Sequence, residues 1–237
     1  MQIGMIGLGR MGGNMAQRLL AAGHRIAGYD RSAPNIRLAA ESGVTTVSSV
    51  AELVTQLQAP RCVWLMVPHG KSTDDSIAAL LDLLSPDDII IDGGNSRYID
   101  SARVAETCAA RGVHFLDVGV SGGVWGREQG FCLMIGGPRA AFERMQPIFK
   151  SLAPKDGYAY VGVSGAGHFV KMVHNAIEYA MLQAMGEGFE CLRRSPYDID
   201  LAGVAQLWQQ GSVVRSWLLE LLTKALKEEG NALEHIA

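Results

Sequence analysis

The sequence predicts an α/β protein: a Rossmann-type doubly wound, mainly parallel sheet followed by an all-helical C-terminal part. Three observations support this prediction. Short apolar runs alternate with helical patterns over the first two thirds of the chain. A strand, a glycine-rich turn and a helix open the chain, and only helical patterns follow residue 164. We therefore expect one domain over residues 1–163 and a second, helical domain over residues 164–237.

The strands are predicted from apolar runs that turn residues interrupt. The run Cys62–Val67 is continuously apolar, as expected for a parallel strand that is covered on both faces. Gly162–Gly165 interrupts the pattern and marks the domain boundary. In chain order the predicted strands are Gln2–Ile6, Arg25–Tyr29, Val44–Val47, Cys62–Val67, Asp88–Asp92, Val113–Val118, Gln129–Ile135 and Tyr158–Val161.

The helices are predicted from apolar residues at helical spacing and from capping residues. Ser49 and Glu52, for example, have the spacing of a capping box. In the first domain the predicted helices are Asn14–Ala22, Ile36–Ser42, one from Ser49, Thr73–Leu84, Ser101–Arg111 and Pro138–Lys150. In the second domain they are one through Gly167–Leu182, Asp198–Gln209 and Ser212–Glu229.

Composition excludes several classes of function. The 237 residues are 48% hydrophobic and 19% charged, as in a globular protein. The net charge of −3 and the lack of a basic stripe argue against a nucleic-acid partner. No apolar run has transmembrane length, and the first strand occupies the place of a signal peptide. The cysteines and histidines lack metal-ligand spacing, so we expect no metal site. The cysteine pattern also fits a reduced, cytoplasmic setting. Cys62 and Cys132, in strand-like runs, are predicted to be buried.

A glycine-rich turn directly follows the first strand. Gly7, Gly9 and Gly12 have the spacing of the dinucleotide-binding fingerprint, in the strand–turn–helix context that this motif requires. Gly7 permits the tight turn, Gly9 lets the backbone approach a pyrophosphate, and Gly12 allows close helix–strand packing. Asp30 ends the second predicted strand, 18 residues after Gly12, near the expected position of a ribose-binding acid. The alternative is a glycine-rich turn in some other βαβ fold.

The residues leave the choice between NAD and NADP open. Asp30 favours NAD, because its carboxylate would repel a 2′-phosphate. Arg31 favours NADP, because its guanidinium could pair with that phosphate. The alternative for Arg31 is a solvated surface charge.

Four polar residues share one face of the helix predicted through Gly167–Leu182. Lys171, His174, Asn175 and Glu178 recur at offsets of three, four and seven. Their neighbours are apolar, and an apolar helix is normally buried, so these groups must be paired or used. Lys171 could serve as a base if burial lowers its pKa, Glu178 could donate a proton, and Asn175 could orient hydroxyls. The alternative is a satisfied polar network in which Lys171 pairs with Glu178.

Three loops and one arginine complete the candidates. The loops Pro68–Gly70, Gly93–Ser96 and Ser121–Gly123 follow predicted strands, where ligands bind in open α/β sheets. The backbone N–H groups of the last two suit carboxylates and hydroxyls, unless both of these loops are simply tight turns. Arg215, near the start of an apolar helix, could bind a phosphate or could pair with Glu178 or Glu187.

Together these motifs resemble the 6-phosphogluconate dehydrogenase family, within the β-hydroxyacid dehydrogenase superfamily, over most of the chain. The resemblance depends on Gly7–Gly12, Ile91–Ser96, Gly119–Gly123, Gly167–Tyr179 and Trp208–Ser216. The run Lys-Met-Val-His-Asn-Ala-Ile-Glu-Tyr is the most discriminating, because simpler members of the superfamily usually lack its His-Asn pair followed by Glu-Tyr.

The resemblance implies oxidative decarboxylation of 6-phosphogluconate to ribulose 5-phosphate and carbon dioxide, in the pentose phosphate pathway and in gluconate utilization. It implies that Lys171 takes the proton of the C3 hydroxyl, that Glu178 protonates the enediol carbon, and that Asn175 assists them. The implied substrate contacts are Asn95, Ser121, Gly122, Gly123, His174 and Asn175, with Tyr179 and Arg215 at the phosphate. The implied cofactor contacts are Gly7, Leu8, Gly9, Arg10, Met11, Gly12, Asp30, Arg31, Ser32, Val67, Pro68, His69 and Asn95.

The sequence departs from the family pattern in two ways. Pro68 stands where long-chain members often carry a lysine, and Asp30 stands where NADP-using members carry an asparagine. Both indicate the shorter bacterial-type branch, and Asp30 slightly favours NAD. The segment Glu228–Ala237 has the pattern of the middle of a longer helical domain, so we expect that domain to be incomplete. The family supplies further phosphate contacts and part of its dimer interface from beyond this point.

The resemblance also implies a homo-oligomer, either a dimer or a tetramer. Two alternative functions are a dehydrogenase of another β-hydroxy acid, such as hydroxyisobutyrate, and a dinucleotide-binding protein without catalysis. The presence of both Lys171 and Glu178 argues against the second alternative.

Overall fold

The computed structural model describes residues 1–230. The described residues form two compact units, residues 1–172 and the described residues from 173 onward. The domain boundary at residues 163–164 stays a prediction. No helix among the described residues is both long enough and apolar enough to cross a membrane.

The first unit is built on one eight-stranded sheet, which confirms the predicted Rossmann-type fold. The strand order is β3-β2-β1-β4-β5-β6-β7-β8, and every neighbouring pair is parallel except β6 and β7. The order reverses beside β1, which creates the crevice where ligands bind in such sheets. The strands are β1 Gln2–Ile6, β2 Arg25–Tyr29, β3 Thr45–Thr46, β4 Cys62–Leu65, β5 Ile89–Asp92, β6 His114–Ser121, β7 Cys132–Gly136 and β8 Tyr158–Gly162.

Helices cover both faces of this sheet. They are α1 Arg10–Ala21, α2 Ala33–Glu41, α3 Val50–Thr55, α4 Lys71–Leu81, α5 Tyr98–Ala110, a 3-10 turn Gly123–Trp125, α6 Gly126–Gln129, α7 Arg139–Leu152 and the start of α8 Ala166–Arg193. Strand β4 shows why its run is continuously apolar. Trp64 packs in the cluster that contains α1 and α7, whereas Val63 and Leu65 pack in the cluster on the other face. Both faces of the strand are therefore buried.

Several predicted element bounds are wrong by a few residues. Helix α1 begins at Arg10 rather than Asn14, because its packing outweighs the low helix propensity of two glycines in its first turn. The short helices at residues 123–129 were not predicted, since they lie in the connection between two antiparallel strands. Cys132 is exposed, not buried, because it is the first residue of β7. Cys62 is buried as predicted.

The second unit contains the rest of α8, α9 Leu201–Leu207 and α10 Trp217–Glu229. It has its own small core, formed by Phe189, Leu201, Ala205, Leu219 and Leu226. Helix α10 begins five residues later than predicted, because the Ser216 hydroxyl accepts the Leu219 N–H at 3.2 Å and caps it there. The predicted continuation of a helical domain into residues 231–237 lies outside the described residues.

Helix α8 is exposed where the sequence predicted burial. Met172, Val173 and Ile177 are exposed, whereas Lys171 and Glu178 are half-buried. The prediction was wrong because it inferred burial from composition alone, and within this chain most apolar side chains between Phe169 and Leu182 lie at the surface.

Candidate active site

The glycine turn at the end of β1 has the geometry of a phosphate-binding turn. Gly7 has φ +93°, and its N–H donates to Tyr29 O at 2.9 Å. A Cβ at Gly12 would lie 2.0 Å from Gly7 O, so helix and turn can pack this closely only with glycine there. A Cβ at Gly9 would meet only the Asn35 amide nitrogen, at 3.9 Å. Protein packing therefore leaves room in front of Gly9, where the fingerprint expects the pyrophosphate.

Asp30, at the end of β2, supports this turn through its carboxylate. Its carboxylate accepts the backbone N–H of Leu8 at 2.6 Å and that of Ser32 at 2.7 Å. The Asn35 side chain donates to it at 3.2 Å, a contact that sequence reasoning missed. A carboxylate has about four acceptor positions, so one stays available for a ribose hydroxyl. Arg31 is exposed, and its guanidinium lies 3.9 Å from Asp75, so its charge is partly compensated at the surface.

The loops after β4 and β5 lie at the same edge of the sheet as the glycine turn. Pro68 O accepts the Thr73 hydroxyl at 3.1 Å, which holds the Val67–His69 loop on α4. The buried Asp92 carboxylate accepts the Gly94 N–H at 3.0 Å, which shapes the turn that presents Asn95. A cavity between these loops is lined by His69, Asp92 and Ser96, among others. The buried Ser96 hydroxyl has no hydrogen-bond partner among the described residues.

The loop after β6 is fastened to helix α1. Gly122 and Gly123 have φ +126° and +53°, and they turn the chain sharply after Ser121. Asn14 donates to Val124 O at 3.2 Å, and Arg18 donates to Arg127 O at 3.1 Å. The predicted substrate loop is therefore held by the helix that begins at the glycine turn. Sequence reasoning missed this link, because Asn14 lies 110 residues before Val124.

Lys171 packs directly on strand β6. A Cβ added at Gly119 would lie 2.5 Å from the Lys171 Cβ and 2.9 Å from Gly167 O. Gly119 and Ser121 are two residues apart on one strand, so both face the same side of the sheet. The structure thus brings Lys171 beside the predicted substrate loop, at the carboxyl edge where β1, β4 and β5 also end.

The other predicted residues of α8 follow in the second unit. Glu178 is paired with His174, whose Nδ1 lies 3.5 Å from a Glu178 carboxylate oxygen and 3.3 Å from Asn175 Oδ1. Tyr179 is exposed. Arg215 is exposed in a turn before α10, where its N–H donates to Ser212 O at 3.2 Å. The roles of these five residues stay predictions.

The residues present fit a dinucleotide. The first turn of α1 has no side-chain cap, no acidic residue and open space at Gly9, so its N–H groups are suited to a pyrophosphate. Within residues 1–230, no group of three histidine, cysteine, aspartate or glutamate side chains is placed to hold a metal ion.

Two family models match successive parts of the chain. Residues 2–164 match the model of the NAD binding domain of 6-phosphogluconate dehydrogenase, and residues 167–196 match the model of its C-terminal domain. The NAD(+)-dependent, decarboxylating 6-phosphogluconate dehydrogenase of Haloferax volcanii is 48% identical over 242 residues, a match that covers 100% of this chain and 80% of that protein.

Two solved structures are similar in fold. The Plasmodium falciparum 6-phosphogluconate dehydrogenase, solved with its cofactor NADP+ and with its substrate 6-phosphogluconate, superposes with a TM-score of 0.86 at 33% identity. That match covers 95% of this chain and 51% of the other. The 3-hydroxyisobutyrate dehydrogenase of Mycobacterium tuberculosis, solved with L-serine, has a TM-score of 0.77 at 27% identity. That match covers 91% of this chain and 72% of the other.

Proposed function

The chain belongs to the 6-phosphogluconate dehydrogenase family, and we propose that it oxidises and decarboxylates 6-phosphogluconate to ribulose 5-phosphate and carbon dioxide with NAD or NADP. The observation that carries the proposal is the placement of Lys171. It packs on Gly119, beside the Ser121 loop, at the sheet edge that also carries the glycine turn. A base, a polyol-binding loop and a dinucleotide turn at one edge fit the oxidation of a hydroxy acid.

The proposed chemistry begins at the C3 hydroxyl of the substrate. Lys171 accepts the hydroxyl proton while the hydride of C3 leaves, and C3 becomes a ketone. A nicotinamide bound at the glycine turn would supply the acceptor for that hydride. The product is a β-keto acid, which loses carbon dioxide because the ketone accepts the electrons of the breaking C–C bond. No metal is needed for this step.

Glu178 is proposed to protonate the enediol carbon that decarboxylation leaves. Its partner His174 orients the carboxyl group, at 3.5 Å. Asn175 is proposed to bind substrate hydroxyls, together with Asn95, Ser121, Gly122 and Gly123. Tyr179 and Arg215 are proposed to bind the phosphate, and their exposure in this chain supports access by a charged ligand.

We propose NAD as the preferred cofactor. The Asp30 carboxylate is held at the end of β2 by Leu8 and Ser32, where it would bond the ribose and repel a 2′-phosphate. The remaining predicted cofactor contacts also belong to this proposal: Arg10, Met11, Arg31, Val67, Pro68 and His69.

We also propose that the chain forms a homo-oligomer and that its domains divide at residues 163–164. We further propose that it acts in the cytoplasm, in the pentose phosphate pathway. The apolar side chains of α8 support the first of these. Val170, Val173 and Ile177 are exposed in the single chain, and contiguous exposed apolar surface usually marks a protein interface. Light scattering that gives the mass of a monomer at all concentrations would contradict it.

The decisive experiment is nicotinamide reduction with 6-phosphogluconate, with NAD and NADP offered separately and carbon dioxide release measured in parallel. The wild-type protein should turn over, and Lys171→Met should lose turnover while it binds the cofactor with unchanged affinity. A Lys171→Met variant with normal turnover would refute the assignment of the base. Oxidation of 3-hydroxyisobutyrate in place of 6-phosphogluconate would instead favour the activity named for the Mycobacterium tuberculosis neighbour.

A further inference from the structure

A buried carboxylate lies in the middle of strand β6, directly below the start of helix α8. Asp117 is 0% exposed and stands in the otherwise apolar run Phe115–Val120. A buried carboxylate is strongly unfavourable unless hydrogen bonds compensate its lost hydration. Its presence in this strand therefore requires specific partners.

Those partners are backbone amides at the beginning of α8. Asp117 Oδ1 accepts the N–H of Gly165 at 2.7 Å, and Oδ2 accepts the N–H of His168 at 2.9 Å. The first N–H groups of a helix lack partners within the helix and carry partial positive charge. Asp117 satisfies them from a neighbouring strand, so it fixes the helix start relative to the sheet.

Close backbone packing allows this contact to form. A Cβ at Gly167 would lie 2.2 Å from Asp117 O, and a Cβ at Gly136 would lie 2.6 Å from Asp117 Oδ1. Only glycine at both positions lets the first turn of α8 rest on β6 and β7. The imidazole of His168, 2% exposed, adds a third attachment through its Nδ1, which lies 2.7 Å from Ser101 Oγ of α5.

Lys171 follows His168 by three residues, so it lies on the same helix face one turn further along. Gly119, which contacts Lys171, follows Asp117 by two residues on the same face of β6. The same pair of elements therefore makes two successive contacts, first Asp117 with the helix start and then Gly119 with Lys171. A change at the Asp117 contact is therefore expected to rotate α8 or to change its distance from the sheet where Lys171 packs on Gly119.

We propose that Asp117 is a positioning residue for Lys171, which it holds over β6 by anchoring the N-terminus of α8. This inference rests on the proposed function, in which Lys171 takes the proton of the substrate hydroxyl. Asp117 itself is buried beneath the helix and contacts no substrate, so it acts through α8.

The test compares Asp117→Asn and Asp117→Ala with the control Asp88→Asn. Asp88 is also 0% exposed, and it also accepts backbone N–H groups, from Arg61 at 2.5 Å and from Ser85 at 2.9 Å. It lies four residues before Asp92, the residue of β5 that pairs with Asp117, which places it about 13 Å away along the strands. Asp88 also pairs with the Arg61 guanidinium at 3.1 Å, so the control reports the cost of neutralising a buried carboxylate in this sheet together with the loss of that ion pair.

Both Asp117 variants should lose kcat per folded molecule with a smaller change in KM. A misplacement of about 1 Å at a reacting group can lower a rate about 100-fold. We expect kcat to fall at least tenfold in Asp117→Asn, which keeps one acceptor oxygen, and further in Asp117→Ala. KM should stay within about threefold, and Asp88→Asn should keep kcat within about twofold. A kcat within twofold of wild type in folded Asp117→Asn would overturn the proposal.

Amide hydrogen exchange supplies a readout that does not depend on turnover. The amides of Gly165 and His168 should exchange faster in Asp117→Asn and should be unchanged in Asp88→Asn. Unchanged protection of both amides in Asp117→Asn would show that Asp117 does not hold the helix, and would also overturn the proposal. If the wild-type protein fails to oxidise 6-phosphogluconate, the proposed function fails, and the exchange experiment still decides whether Asp117 anchors α8.

Discussion

A single methyl group at Gly119 should disable the proposed site. The Cβ of an alanine there would lie 2.5 Å from the Lys171 Cβ, 2.9 Å from Gly167 O and 3.2 Å from the Lys171 Cγ. Two of these atoms belong to the first turns of α8 and cannot move by a simple rotamer change. Carbon atoms pack best at about 3.5–4.0 Å, so the helix must shift by about 1 Å. Such overpacking typically costs about 1–3 kcal/mol of stability, and a displacement of that size can lower kcat about 100-fold.

The assay is steady-state nicotinamide reduction, with urea unfolding of the same samples. Gly186→Ala is the matched control, because Gly186 lies on the same helix and a Cβ there meets nothing within 4 Å. That variant should keep kcat, and its free energy of unfolding should rise by about 0.5–1 kcal/mol, since alanine has a higher helix propensity than glycine. If Gly119→Ala retained both wild-type kcat and the wild-type urea midpoint, the inference that α8 rests on Gly119 would be refuted.

Three further predictions concern the acid, the cofactor and the cysteines. Glu178→Gln should lower steady-state turnover at least about 100-fold, because general acid catalysis is lost, while the first reduction of the cofactor stays fast. Stopped-flow absorbance should therefore show a burst of reduced cofactor. The absence of this burst would contradict a role of Glu178 after the oxidation step. Asp30→Asn should raise the NADP-to-NAD ratio of kcat/KM about tenfold, by removing repulsion of a 2′-phosphate, and an unchanged ratio would mean that Asp30 does not face the ribose. Burial raises the pKa of the Cys108 thiol to about 12 and raises that of Cys62 further. A thiol reagent should therefore modify only the two exposed cysteines, Cys132 and Cys191, in the native protein and all four in urea. Rapid modification of a third cysteine in the native protein would be inconsistent with this fold.

The cofactor half of the site could be predicted because its signals are contiguous. The glycine turn, its strand and its helix occupy residues 2–21, and Asp30 follows at the end of the next strand. Local spacing alone therefore contains the geometry of the turn. What spacing could not give is the second use of Asp30, as an acceptor for the Leu8 N–H within that turn. The expected ribose acid is here also a structural residue, so its substitution should weaken binding of both cofactors as well as change the preference.

The packing of the base could not be predicted in the same way. The helical spacing of Lys171, Asn175 and Glu178 indicates a shared face, but nothing in that spacing indicates which strand the helix rests on. The contact with Gly119 joins residues 52 positions apart, and the bonds of Asp117 join residues 48 and 51 positions apart. The sequence does contain one signal of this contact. An aspartate inside an apolar strand must find buried donors, and a helix N-terminus is a common source of them.

The exposure pattern at the start of α8 shows which interaction sets its rotation. If the hydrophobic effect alone oriented this helix on the sheet, Val170 and Met172 would face inward and Lys171 outward, yet Lys171 is the less exposed. Hydrogen bonds and glycine contacts at the N-terminus of the helix are directional, unlike apolar burial, so they can hold a helix with its polar face inward. The apolar residues left at the surface are then free to bind another protein surface, which connects the anchor at Asp117 to the proposed oligomer. Loosening the anchor should therefore affect turnover and assembly together, and light scattering of Asp117→Asn beside its kcat would test that connection.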